Sequence, residues 1–175
     1  IRYHAHVTGF IVNENVLTGV ILAGGEKIMS NAVVLACGHS ARDTYASLLK
    51  LGVGIEAKPF AIGVRIEHPQ ELIDKAQYGD FAGHPRLGAA DYALVHHTPD
   101  KSRTAYSFCM CPGGVVVAAA SETGGVVVNG MSMYRRDSGI ANSAIVVNVG
   151  PQDFGTDPLA GVEFQRHYEK LAFRA

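Results

Sequence analysis

Apolar and polar positions alternate in short runs through the first thirty residues, and the runs are broken by turn chemistry. His4 to Val12, Thr18 to Ala23 and Glu26 to Met29 read as strands, separated by Asn13-Glu14-Asn15 and by Gly24-Gly25. β-branched runs around such turns predict hairpins. Val33 to Cys37 is then continuously apolar, the pattern of a strand buried on both faces of a parallel sheet. Gly38 ends that run. The spacing predicts a helix directly after it, with Ser40 and Asp43 as a Ser-x-x-Asp capping box. Tyr45, Leu48 and Leu49 form its apolar stripe, and Gly52 stops it.

Beyond Gly54 the pattern changes. Phe60 to Glu67 reads as a strand, and Pro69 opens a short helix with Leu72, Ile73 and Ala76 on its apolar side. Tyr78 to Ala90, rich in Gly and Pro, is expected to be a loop or an excursion over a site. Asp91 to His97, Arg103 to Cys111, Val115 to Ser121, Gly125 to Asn129 and Ala144 to Val149 read as further strands. Leu159 to Phe173 repeats Phe164, Tyr168 and Leu171 on one helical face. The expected class is therefore α+β. A meander and a central strand occupy residues 1–52, and a mixed, largely antiparallel β-rich domain with few helices occupies 53–175.

Composition narrows the function classes. With 47% hydrophobic and 18% charged residues, the chain has the makings of a core rather than of disorder. Its formal net charge is −1 and its Lys and Arg are scattered, which argues against a nucleic-acid surface. The longest apolar run, Val115 to Ala120, is far short of the ~20 residues that span a bilayer. Three cysteines (Cys37, Cys109 and Cys111) leave one unpaired, so a reducing cytoplasm is the expected setting. A start at Ile1 without initiator Met or signal pattern, and a final helix without a cap, lead to the expectation of an interior section.

The strand–Gly–helix unit at Val33 to Leu49 is the first candidate for chemistry. A helix N-terminus offers unpaired N–H groups, and a preceding Gly lets a diphosphate approach the backbone. The same pattern also serves as a plain connection. The histidines give no metal signature: His4 and His6 alternate, His96 and His97 are adjacent, and His39, His68 and His84 are scattered. Arg65 and Glu67 form a polar strand face, with Arg65 open to a role toward an anionic substrate. Arg135, Arg136 and Asp137 read as a solvated loop.

Several long stretches carry a resemblance. They are Val33-Val34-Leu35-Ala36-Cys37-Gly38-His39-Ser40-Ala41-Arg42-Asp43-Thr44-Tyr45, then Lys58-Pro59-Phe60-Ala61-Ile62-Gly63-Val64-Arg65-Ile66-Glu67-His68-Pro69-Gln70, then Tyr106-Ser107-Phe108-Cys109-Met110-Cys111-Pro112-Gly113-Gly114. Asn129-Gly130-Met131-Ser132 and Gly161-Val162-Glu163-Phe164-Gln165-Arg166 extend it. Together they resemble bacterial FAD-dependent dehydrogenases related to the HI0933-like flavoproteins, within the two-dinucleotide-binding flavoprotein superfamily.

The resemblance implies the closing part of a Rossmann-like FAD domain followed by a substrate-type domain. It implies FAD in an intact parent, with NAD(P)H as the other redox partner, an unknown small-molecule substrate, and the remainder of the FAD domain as a partner. Cofactor contacts carry over to Val7 and to Ala36, Cys37 and Gly38. Cys37 replaces the usual Thr of the Ala-Thr-Gly strand end. The G-x-G-x-x-G fingerprint that cradles the diphosphate has no match in the chain, so the chain alone is expected neither to hold flavin nor to turn over.

Cys109 and Cys111 stand as weak catalytic candidates beside Arg65. On a regular strand the two thiols share a face about 6.5–7 Å apart, long for a disulfide. They read as a thiol pair facing flavin or substrate, as buried inert side chains, or as metal ligands. Two further function classes remain beside the oxidoreductase: a non-catalytic cofactor-covering or assembly module, and a CxC thiol-redox or metal-binding domain.

Overall fold

The computed structural model describes residues 1–100 and 102–175. They form an α+β arrangement of mostly antiparallel sheets and few helices, divided into two compact units, Ile1–Ile55 and Glu56–Ala175.

The first unit opens with the meander. β1 (Val7–Asn13), β2 (Val16–Leu22) and β3 (Lys27–Met29) pair antiparallel in that order. Asn13 pairs with Val16, leaving Glu14 and Asn15 as a two-residue loop, both at positive φ (47° and 63°). That is the type I′ geometry, whose twist matches the strands it joins. His4 and His6 precede β1 rather than alternating along it.

The helix α1 (Arg42–Lys50) follows the sequence expectation at its end but not at its start. Its N-cap is Ala41, and no side chain caps it, so Ser40 and Asp43 do not form the expected box. At the other end Gly52 N–H donates to Leu49 O (3.0 Å) and Val53 N–H to Leu48 O (3.1 Å), with Gly52 at φ +81°. These two bonds form a Schellman closure, which needs a left-handed residue where glycine is free of strain.

Val33–Cys37 is not a strand. No neighbour pairs with it among the described residues, and Val34 is 90% exposed. The apolar run has the composition of a central strand, but a ladder needs a second backbone, and the meander ends its own pairing at β3. Phe10 and Leu17 from the meander, Val33 and Leu35 from the run and Leu48 from α1 surround a hollow of about 300 Å³.

The second unit is built around β9 (Ile140–Val149). It lies between β4 (Phe60–Pro69) and β6 (Thr104–Cys111), with the short β5 (Val95–His97) at the edge beyond β6. All pairs are antiparallel. Among the described residues β9 carries a concentration of buried side chains: Ala141, Asn142, Ser143, Val146 and Val149. β9 begins four residues earlier than its apolar run, because small residues (Ala141, Asn142 and Ser143) suit the crowded centre of this sheet.

β7 (Gly114–Ala118) and β8 (Val128–Ser132) form a separate hairpin, with β8 shifted from the expected 125–129. Glu67 Oε1 accepts Val116 N–H at 2.9 Å, tying the hairpin to the polar face of β4. On the polar face expected of β4, Arg65 is half-buried and Glu67 exposed, and Val64 and Ile66 on the opposite face are exposed as well.

Pro69 is the N-cap of α2 (Gln70–Tyr78) and the last residue of β4. The helix buries Gln70, and of its expected apolar side Ile73 is half-buried while Leu72 and Ala76 are exposed. Gln70 Nε2 donates to Asp74 Oδ1 (2.8 Å) and Ala90 O (2.9 Å), and its Oε1 accepts Gly113 N–H (2.8 Å). A buried amide with its groups paired acts as a fixed spacer, tethering the 82–90 loop to the corner after β6. A short turn, α3 (Pro151–Phe154), and the long α4 (Ala160–Arg174) complete the unit. Phe60, Phe154, Phe164 and Tyr168 stack with centroid separations of 5.0 to 6.3 Å.

Candidate functional site

Two places bring the sequence candidates together, one in each unit. In the first unit, a cleft of about 750 Å³ is lined by Val7, Ala36 and Cys37, with Asp43, Thr44 and Ser47 from the start of α1. β1 supplies Val7 at the first residue of its strand, and the unpaired run supplies Ala36 and Cys37. Gly38, next in sequence, adopts φ +77° and its carbonyl accepts the Tyr45 hydroxyl at 2.9 Å. The turn is thus pinned to α1 from behind, while Cys37 is exposed.

A ligand edge fits this cleft. The backbone of 33–37 has no ladder partner, so its N–H and C=O groups are open to bond a ligand or another strand. A diphosphate does not suit it. Asp43 places a carboxylate in the cleft wall at the first turn of α1, where it takes up the positive end of the helix dipole and repels an anion. The residues present therefore suit the neutral, hydrogen-bonding parts of a dinucleotide better than its diphosphate.

In the second unit the sequence candidates are Arg65, Cys109 and Cys111. β6 does not run regularly past Phe108. Phe108 pairs with Ala144 but Cys111 pairs with Asn142, so one extra residue is accommodated as a bulge. Cys109 takes φ +49° there. The bulge breaks the two-residue alternation that would have put both thiols on one face: Cys109 is exposed and Cys111 is buried, and both are free thiols. Cys111 Sγ donates to Cys109 O at 3.3 Å.

Arg65 is held at the same bulge. Its Nη1 donates to Asn142 Oδ1 at 2.5 Å and to Cys109 O at 3.2 Å, and lies 3.9 Å from Cys111 Sγ. Asn142 is fully buried, and its Nδ2 has no partner among the described residues. Gly130 closes over this group, since a Cβ there would collide with Arg65 Nη1 and Asn142 Oδ1 and lie 2.7 Å from Cys111 Sγ. Sequence reading singled out Arg65 and the Asn129-Gly130 motif but missed Asn142. Its only signal was a polar residue beside an apolar strand.

Some of the remaining candidates have local partners. His68 Nε2 lies 2.9 Å from the Tyr92 hydroxyl, and His97 Nδ1 lies 2.9 Å from Thr104 Oγ1. His84 Nδ1 accepts Arg86 N–H at 3.2 Å. Arg135 pairs with Asp137 on an exposed loop. Among the described residues no group of three or more His, Cys, Asp or Glu is placed to hold a metal ion. No helix among them is long and apolar enough to cross a membrane.

Residues 59–175 match the family model described as FAD-dependent protein, C-terminal domain-like. The chain is also 60% identical over 155 residues to a Clostridium beijerinckii protein described as uncharacterized. That match covers 88% of this chain and 29% of the relative, so the chain spans under a third of the relative's length. The match over 59–175 takes in the Arg65 bulge, Gly130 and the sheet around β9, and on it the chain belongs to the family of FAD-dependent proteins, C-terminal domain-like.

Proposed function

We propose that the chain works as a section of a longer FAD-dependent oxidoreductase, a dehydrogenase akin to the HI0933-like flavoproteins. Its first unit supplies one edge of the FAD site and its second a substrate-type domain. The observation that carries this reading is the cleft of the first unit, which gathers Val7, Ala36 and Cys37 beside the left-handed Gly38.

FAD, when bound, supplies hydride transfer, with NAD(P)H as the proposed second redox partner. The chain's own residues orient and enclose. The open backbone at Ala36 and Cys37 bonds one edge of the dinucleotide, and Val7 meets the adenine end. Tyr45 holds the Gly38 carbonyl in place, and Asp43 keeps the diphosphate away from α1. The diphosphate then belongs to a Gly-rich loop elsewhere in the longer polypeptide. The three free thiols suit a reducing, cytoplasmic setting.

The test compares the longer polypeptide with the 175-residue chain, each purified under native conditions and then offered FAD. Flavin absorbance retained by the long form and absent from the short one is the expected result. A long form that stays colourless after reconstitution overturns the proposal.

A further inference from the structure

Arg65 is a half-buried guanidinium with no carboxylate within salt-bridge distance among the described residues. Its bonds to Asn142 Oδ1 and Cys109 O both use Nη1. Three other arginines of this unit find acids: Arg103 meets Asp153, Arg135 meets Asp137, and Arg166 meets Glu122 and Glu163. A cation placed in a partly dry wall without an anion carries a desolvation cost that a bound anion would offset.

Arg65 also lines a groove of about 450 Å³ between the sheet face of β4, β6 and β9 and the helix α4. That volume is within the range of small-molecule sites. Phe108, Val126, Val128 and Tyr168 supply its apolar walls, and Phe108 is 62% exposed there. Phe108 sits in β6 directly before the bulge that fixes Arg65. Among the described residues lining the groove, Arg65 is the one cationic side chain and Glu169, engaged in an interaction of its own, is the one carboxylate.

We propose that this groove binds a small organic monocarboxylate, with its carboxylate on the outward edge of Arg65 and a flat apolar body against Phe108 and Tyr168. The bulge, Asn142 and Gly130 hold the guanidinium from behind, so its remaining N–H donors are set in place before a ligand arrives. A single guanidinium with no second cation, in a groove whose wall also holds the Glu169 carboxylate, matches one negative charge and no more, which favours a carboxylate over a phosphate dianion. The inference rests on reading the second unit as the substrate-type domain and gives that domain a substrate class.

Benzoate is the probe, titrated into the 15N-labelled chain and followed by amide chemical shifts. Saturable binding with a Kd on the order of 1 mM is expected. Shifts should be confined to residues 61–65, 108, 126–129 and 165–172. Benzamide, with the same ring and no charge, should fail to saturate, and phenyl phosphate should bind no more tightly than benzoate. Arg65→Gln should weaken benzoate by about tenfold or more. Asn142→Asp keeps Arg65 and its shape but hands the guanidinium a protein carboxylate, so it too should lose benzoate.

Equal binding of benzamide, tighter binding of phenyl phosphate, shifts outside the groove, or no saturation by benzoate each overturns the proposal. So does wild-type affinity in either folded variant. Should Arg65→Gln fail to fold, Asn142→Asp and the exposed Phe108→Ala decide, and unchanged benzoate affinity in both ends the idea. None of these readings involves flavin, so their failure leaves the FAD proposal standing and the reverse also holds.

Discussion

Cys109 turns its backbone to φ +49° and so presents its carbonyl 3.2 Å from Arg65 Nη1. A regular strand residue would have kept that carbonyl in the ladder with β9. The bulge therefore exchanges one sheet bond for the seat of a cation. A non-glycine residue in the left-handed region costs ~1–2 kcal/mol.

That cost gives the first prediction. Cys109→Gly keeps the carbonyl and removes the Cβ penalty, so it should stabilise the chain by about 0.5–1 kcal/mol in urea denaturation. Cys109→Val, with a branched side chain at the same φ, should destabilise it. Equal midpoints for the two variants would show that the positive φ is not a constraint on the fold.

Gly130 should tolerate no side chain. Its Cβ would enter the space held by Arg65 Nη1 and Asn142 Oδ1, both fixed by the bond between them. Gly130→Ala is expected to destabilise by roughly 2–3 kcal/mol, an overpacking effect at a polar centre. A midpoint within error of wild type would mean that the Arg65 seat is looser than described.

The thiols separate by burial. Cys37 and Cys109 should react with a bulky aromatic disulfide reagent in the folded chain, and Cys111 only on unfolding. Two fast equivalents and one slow one are predicted. Three fast equivalents would revive the CxC thiol-redox reading that the bulge argues against.

Acid should act through Asp153. The Arg103 guanidinium, and then the Gly150 N–H, hold its carboxyl below the ordinary carboxylate range. Asp100, bonded first by Thr98 and then by Ser102, is likewise lowered, to about 2. A carboxylate with a lowered folded pKa adds stability above its unfolded value, near ~4, and loses it as pH falls through the folded value. Thermal midpoints should therefore drop below pH 4, and Asp153→Asn should shrink that drop while lowering the midpoint at pH 7. An identical acid profile in the variant contradicts the assignment.

What the sequence made legible was local. The meander was readable because Asn13-Glu14-Asn15 and Gly24-Gly25 specify their turns without help from the rest of the chain. The end of α1 was readable because Gly52 is needed for a left-handed closure. The strand at Val33–Cys37 was misread because apolarity reports what a segment can pair with, not whether a neighbour is present. The Cys109 bulge was invisible for a related reason, since a bulge exists only against the register of β9. Asn142 and Gln70 were passed over because buried polar residues look like surface ones until their partners are known. Arg65 was noticed as a charge, but its lack of an acidic partner is a fact of the folded arrangement.

In the proposed function the Val33–Gly38 backbone forms an edge of the FAD site. Hydrogen exchange of the longer polypeptide, with FAD and after its removal, tests it most directly. Any strands that pair with this run are present in both samples, so only the flavin differs. Slower exchange at residues 33–38 with FAD bound, and at Val7, is the predicted result. Exchange there that is the same with and without FAD, while other segments become protected, would contradict the claim.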